Sequence, residues 1–174
     1  MDILGMVSGR AGQGRYKEVR SDLRPVGWFD VPGLFRFGYP WPWERFPGDV
    51  ELAGADGEVT EDGLLGALRA PRNRGTATVA VWCGRGSLRS LEPSAGTRFE
   101  RLYRGSHREV RRLRAGGAPA LVIDIDLPGG DRVSRGVLGA AGDQVVHVEL
   151  RTPVAAATGY RPHFDAMLAS WSWA

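Results

Sequence analysis

The chain carries one cysteine, one lysine and no long apolar run, and each scarcity excludes something. Cys83 has no second thiol with which to close a disulfide or build a thiolate-rich zinc site. It ends the strand-like run TATVAVWC, where a cysteine reads as a small packed hydrophobe rather than a nucleophile. No stretch reaches the roughly 18 apolar residues that a spanning helix needs, and MDILGMVSGRAGQGR lacks the basic start, apolar middle and small-residue cleavage site of a signal peptide. A cytoplasmic protein without membrane association is therefore expected. The GK[ST] of a phosphate loop is missing, and the glycines of GRAGQGR follow G-x-x-G-x-G with no strand before them. Ser87, Ser106 and Ser134 all lack the G-x-S-x-G context of a nucleophile elbow. No motif names a reaction, and neither a cofactor nor a resident metal is expected.

What is present suits one globular domain: 174 residues, 43% hydrophobic and 25% charged. Residues 1–27, rich in Gly and Arg without a sustained period, read as a flexible or late-docking arm before a single domain over 28–174. The net charge of +3 conceals a segment, residues 69–114, with twelve Arg against three Glu; its balance of +9 leaves −6 for the rest. Such a segment suits an acidic partner or phosphorylated ligand. Nucleic acid is not expected, because no nucleic-acid module motif accompanies the charge and aromatics are not interleaved with it. With 22 Arg to one Lys, the excess also fits a coding bias that fills solvated positions with Arg.

From Trp28 the aromatic stretch GWFDVPGLFRFGYPWPWERFPGD predicts a short strand around Leu34–Phe37 and a Pro-punctuated turn. Trp41, Trp43 and Phe46 there cover a core edge or, alternatively, form an exposed docking site. TEDGLLGALRA predicts a helix, with Thr60 as N-cap, Glu61 and Asp62 in the first turn, and Leu64, Leu65 and Leu68 on one face. TATVAVWC alternates as a strand. TRFERLYR carries a Thr97/Glu100 capping box, with Phe99, Leu102 and Tyr103 at helical spacing.

APALVIDID, RVSRGVLGA and QVVHVELRT, joined by short Gly-containing loops, predict an antiparallel meander. In the first of these, Leu121, Ile123 and Ile125 oppose Val122, Asp124 and Asp126; in the third, Val146, Val148 and Leu150 oppose His147, Glu149 and Arg151. One oily and one polar face are expected. On the polar face Asp124, Asp126, His147 and Glu149 are the candidate site: a histidine flanked by carboxylates can serve as general base, and the four could hold a divalent metal. A solvated face of alternating charge is the competing reading. His163 is expected at a surface or rim, and His107, among arginines, has no evident partner.

Near the C-terminus, Thr158 can cap a helix whose Tyr160, Phe164, Met167, Leu168 and Trp171 form a core-facing stripe on the oily sheet face. WSW then suits a short closing strand or a fraying end. In its order of elements, with FRFGYPWPWERF near the start and YRPHFDAMLASW at the end, the chain resembles the Mog1/PsbP-like family over roughly residues 28–174. The resemblance implies an α+β fold, an antiparallel sheet of about six or seven strands flanked by helices. It implies no shared chemistry, since the group includes photosystem accessory proteins, a small-GTPase partner and bacterial lipoproteins. The chain looks like an actinobacterial-type member and departs from the lipoprotein branch in having no lipobox Cys near its start. NTF2-like and helix-grip folds are the alternatives.

Two functions follow as expectations. The first is a non-catalytic accessory protein holding a protein partner through Trp41, Trp43 and the arginines Arg98, Arg101 and Arg104. The second is a small cofactor-independent enzyme or carrier for a natural-product biosynthetic intermediate, with a small-molecule pocket between sheet and helix and Asp124, Asp126, His147 and Glu149 as acid/base or orienting groups.

Overall fold

A computed structural model describes residues 16–45, 64–70, 77–140 and 142–174. In chain order these form β1 (Lys17–Glu18), β2 (Pro25–Val31), β3 (Phe35–Pro40), β4 (Glu44–Arg45), β5 (Leu64–Arg69) and β6 (Thr78–Arg85). Then come α1 (Leu88–Leu91), a 3-10 turn (Glu92–Ser94), α2 (Ala95–Tyr103), β7 (Ser106–Ala115), β8 (Ala118–Asp126), β9 (Asp131–Gly139), β10 (Gln144–Pro153), α3 (Val154–Ala169) and β11 (Ser172–Trp173).

Eight strands make one sheet in the order β1-β7-β8-β9-β10-β6-β5-β4, and β11-β3-β2 make a second, smaller one. Every pairing is antiparallel except β1 with β7. The expected α+β class and the meander hold, with more strands than the expected six or seven. Of the segment read as an arm, residues 16–27 supply β1 and the start of β2.

Both faces of the large sheet are covered. On one, Val122, Val146, Val148 and Leu150 meet Tyr160, Phe164, Met167 and Leu168 of α3 together with Phe29, Phe35 and Phe37 of the small sheet. On the other, Leu121, Ile123, Ile125 and Val137 meet Leu88, Leu91, Ala95 and Phe99 of α1 and α2. This explains why β8 reads LVI without a gap: a strand buried on both sides needs apolar residues at both parities. The expectation of one oily and one polar face is corrected accordingly. Phe164 and Met167, at 1% and 0% exposure, each contribute roughly 1.5–3 kcal/mol by burial.

The terminal WSW closes the small sheet. Trp171 stacks on Phe35 and Phe37 at centroid distances of 4.5 and 5.1 Å, while Ser172 and Trp173 pair with Arg36 and Phe35. Three local expectations are corrected. Leu64–Arg69 is a strand, bulged where Gly66 sits at φ +150°, with Thr60, Glu61 and Asp62 outside the described residues. α3 begins at Val154, four residues before Thr158; the helix-favouring Ala155–Ala157 run extends it, and the Val154 N–H is met by the Gly130 carbonyl at 3.0 Å. α2 begins before Thr97, and Glu100 turns from the capping box to His107, accepting from its backbone N–H at 3.0 Å and lying 2.6 Å from its Nδ1. His107 therefore has a partner after all, and it holds the Glu100 carboxyl below its ordinary range.

Candidate functional site

Among the described residues a connected, buried polar network lies between the large sheet and α2. Directly paired residues on neighbouring strands share a face, and the register sets Arg135 of β9 opposite Glu149 of β10, and His147 opposite Trp82 of β6. The His147 and Trp82 rings stack 5.5 Å apart at 16°. Over Trp82, at 4.1 Å from its centroid, lies the Arg135 guanidinium, itself only 2% exposed. A cation so buried requires hydrogen bonds and an opposite charge. Arg135 Nη1 donates to the Tyr103 hydroxyl at 2.5 Å and to Glu149 at 3.4 Å, and Tyr103 donates in turn to Glu149. Burial and then the Glu149 charge push the Tyr103 hydroxyl well above its usual range.

Arg135 Nε donates to His147 Nδ1 at 3.3 Å. Accepting there puts the ring proton on Nε2. Burial, followed by the charges of Arg135 and Arg98, depresses His147 to a pKa of about 3, so the imidazole is neutral near pH 7. A neutral ring that already accepts from an arginine is a fixed N–H donor, not a general base at neutral pH. Nε2 faces Gly84, where a Cβ would approach it to 2.9 Å. A cleft of about 260 Å³ opens at this point, lined by Trp82, Gly84, Arg85, Arg98, Arg135 and His147 among others.

The sequence-predicted quartet is split by the sheet. Asp124 pairs with Ser134, which pairs with Leu150, so Asp124 and Asp126 face the α3 side while His147 and Glu149 face α2. Within-strand alternation was right; the assignment of both pairs to one polar face is corrected, because the Leu121 and Val146 sets point to opposite sides. Asp124, 8% exposed, accepts from the Ser134 hydroxyl at 2.7 Å. Asp126 receives Arg132 at 2.6 Å and Arg108 at 2.9 Å, and its carboxyl is held below the ordinary range chiefly by Arg132. Among the described residues no three His, Cys, Asp or Glu side chains gather as a metal site.

The Trp and Arg candidates separate likewise. Arg98 and Arg101 are exposed on α2 and Arg104 at its C-cap, on one side of the large sheet, whereas the Trp segment links β3 of the small sheet to β4 and buries Trp43 in the core on the other side. Trp43 is 3% exposed: its indole donates to His163 Nδ1 at 3.0 Å and packs edge-on to Tyr160. It is a core-edge residue, unavailable for docking. Trp41 is 65% exposed, and the outward-facing Trp28, with Arg36 5.0 Å over its ring, is 50% exposed. Sequence reading passed over Trp28 and Arg135. The signal for Trp28 was the alternation in PVGWFDV, which buries Phe29 and so turns Trp28 outward; Arg135 had none, since a buried arginine inside a strand looks like any other. Cys83 is half-buried against the α3-side core, as a small hydrophobe should be, and burial raises its thiol pKa. Beside it an apolar hollow of about 410 Å³ is lined by Leu34, Phe35, Val146 and Trp173.

The architecture is similar to the solution structure of cyanobacterial PsbP (CyanoP) from Synechocystis sp. PCC 6803, with a TM-score of 0.63 and 15% sequence identity over 98% of this chain and 100% of that one. A crystal structure from Bacteroides thetaiotaomicron VPI-5482 aligns with a TM-score of 0.48 and 16% identity over 84% of this chain and 48% of that one, so this chain spans about half its length. No protein-family model matches the sequence, and no curated protein does. The fold is PsbP-like, as the resemblance implied. Among the described residues no helix is long and apolar enough to cross a membrane.

Proposed function

We propose that this chain is a cytoplasmic, non-catalytic accessory protein that docks a protein partner through the outer side of the β2–β3 hairpin. The observation that carries the reading is the exposure of Val26, Trp28 and Trp41, at 62%, 50% and 65%, on one hairpin. Pro25 pairs with Pro40, so Val26 and Trp41 follow paired positions at the same end of it, and Trp28 lies along the same strand as Val26. Tryptophan and arginine are the residue types that anchor interfaces, and large apolar side chains left in water mark contact surfaces. The PsbP-like fold agrees with an accessory role without assigning a partner. Acid/base catalysis by the sequence-predicted quartet loses support, since the sheet separates its members.

The test is gentle capture of the tagged full chain from its own cell extract, read by native mass spectrometry alongside fractionation. Trp28→Ala and Trp41→Ala are expected to lose a stoichiometric partner, each weakening it roughly thirtyfold or more, while Arg101→Ala on the far side retains it. A complex that survives both Trp changes would remove the hairpin from consideration.

A further inference from the structure

The outermost strand of a sheet leaves a row of backbone N–H and C=O groups unpaired, and proteins guard such rows with very short strands, bulges or charge. Among the described residues the two sheets end in β1 and β4, and in β11 and β2. β1, β4 and β11 are two residues each, whereas β2 is seven residues long. β7 and β5, partly uncovered beyond β1 and β4, are each broken by a bulge. The bulge of β2 falls at its Pro25 end and leaves Gly27–Val31 in continuous register with β3.

Ser170 fixes the direction in which the β2 backbone points. Its Oγ accepts from the Gly38 N–H at 2.8 Å and donates to the Gly38 C=O at 3.1 Å, so both groups of Gly38 turn away from β2. Gly38 pairs with Trp28, which makes theirs a non-hydrogen-bonded pair of the antiparallel ladder. The Trp28 N–H and C=O therefore point out from the edge. By alternation those of Asp30 do too, while Phe29 and Val31 bond inward to β3. Among the described residues no other backbone group takes these four.

The surroundings of the edge are cationic. Arg36 lies 5.0 Å over the Trp28 ring and Arg45 4.6 Å over the Phe29 ring, and among the described residues neither has an ion pair. Asp30 is the one acid on β2 and β3. A second copy of the chain would bring the same two arginines against that one acid, so charge favours an acidic strand from a different chain.

We propose that this edge accepts an extended acidic segment of the docking partner as a fourth strand of the small sheet. The segment pairs with the N–H and C=O groups of Trp28 and Asp30, and its carboxylate opposite Trp28 meets Arg36. This mode rests on the hairpin being the docking side, and it adds backbone recognition to the tryptophan contacts.

The probe is a capped synthetic peptide, Glu-Thr-Val-Glu-Val-Thr-Glu, titrated into the full chain and followed by backbone amide NMR. Saturable shifts at the Trp28 and Asp30 amides are expected, with about tenfold slower hydrogen exchange there at saturation and smaller changes at Phe29 and Val31. Binding should weaken about tenfold or more in Asp30→Pro, which removes an outward N–H and no β2–β3 bond. The same loss is expected when the Thr and central Glu nitrogens of the peptide are methylated, or when Lys replaces its Glu. Asp30→Asn, which keeps the N–H, should bind at least as tightly as the parent. Absence of a saturable shift up to several millimolar overturns the proposal. So does a methylated or Lys peptide that binds like the original, or a chain that dimerises through this edge and excludes the peptide. Failure of the peptide while capture still depends on Trp28 and Trp41 refutes the added strand and leaves docking by side chains standing. A peptide that binds as expected while capture ignores both Trp changes does the reverse.

Discussion

Arg135 Nε donates to His147 Nδ1 at 3.3 Å between neighbouring strands, with the Arg135 and His147 side chains both set against Trp82. Burial, followed by the charges of Arg135 and Arg98, holds the histidine neutral in the fold, at a pKa of about 3 against an ordinary value of 6.5. Well above pH 6.5 neither the native nor the unfolded chain binds this proton, and stability is independent of it. As pH falls below 6.5 the unfolded chain takes up a proton that the native state refuses, so stability declines, by about 1.4 kcal/mol per pH unit for one proton, until the native site titrates near 3. The carboxyls of Asp126 and Glu100, ordinarily 3.8 and 4.5, are depressed in the fold and add their own losses at lower pH. Denaturant unfolding of the parent and His147→Gln at pH 6.5, 5.75 and 5 isolates the histidine: the variant is expected to show the shallower decline. Parallel declines would refute a depressed His147.

Removing Arg135 should cost more than its own contacts. Arg135→Met leaves Glu149, 7% exposed, with Tyr103 and with Arg151 at 3.6 Å but without its nearest cation, a defect of up to about 3–5 kcal/mol. Arg135→Lys should rescue little, because an ammonium cannot reach His147, Tyr103 and Glu149 with the forked donors that Nε and Nη1 supply. A double change, Arg135→Met with Glu149→Gln, should recover part of the loss, since the stranded charge is then removed. Urea midpoints of the four proteins decide it; a double variant no more stable than Arg135→Met would mean that Glu149 is adequately held without Arg135.

The core was more legible in the sequence than the site, and the reason is geometric. Periodicity within one element is local information: the 3.6-residue stripe Tyr160–Phe164–Met167–Leu168 and the alternation of β10 could be read directly, and all of those residues are where the pattern put them. Which parity of β8 shares a face with which parity of β10 is decided by strand register through β9, and a shift of one residue exchanges the faces. That is why Asp124 and His147 could be placed in their strands but not on their sides of the sheet. In β5, Leu64, Leu65 and Leu68 fit a helix by spacing, and only pairing with β6 makes them a strand. In β7, arginines at Arg108, Arg111, Arg112 and Arg114 masked the strand, because long cationic side chains lie along the sheet and reach acids beyond it: Arg111 bonds Asp165 at 3.0 Å and Arg112 bonds Glu92.

Trp43 and Trp41 stand two residues apart and should separate cleanly under mutation. Trp43→Phe removes the 3.0 Å hydrogen bond to His163 and part of the edge contact with Tyr160, for a loss of about 1–3 kcal/mol, with partner capture unchanged under conditions where the variant is folded. Trp41→Ala should change stability by no more than about 0.5–1 kcal/mol and abolish capture. Thermal unfolding and native mass spectrometry on the two variants read both quantities. A reversal, with Trp43→Phe neutral and Trp41→Ala destabilising, would contradict the placement of the two rings.

Arg104 ends α2 in the left-handed region, at φ 52°, with its backbone N–H on the Glu100 carbonyl; Gly105 donates to the same carbonyl at 3.1 Å. That conformation costs a residue with a Cβ about 1 kcal/mol or more, while glycine adopts it freely but loses more chain entropy on folding. The two effects oppose each other, and at helix C-termini the conformational term wins, which is why glycine is favoured there. Arg104→Gly is accordingly expected to raise stability by up to about 1 kcal/mol in urea unfolding. Gly105 cannot share the role: a Cβ there would meet the Asp126 carbonyl oxygen at 2.5 Å, backbone that has no room to yield, so Gly105→Ala should destabilise. If Arg104→Gly is instead destabilising, the arginine side chain contributes more at the α2–β7 corner than its strained backbone costs, and the effect should then disappear at high salt, where an exposed guanidinium's attraction is screened.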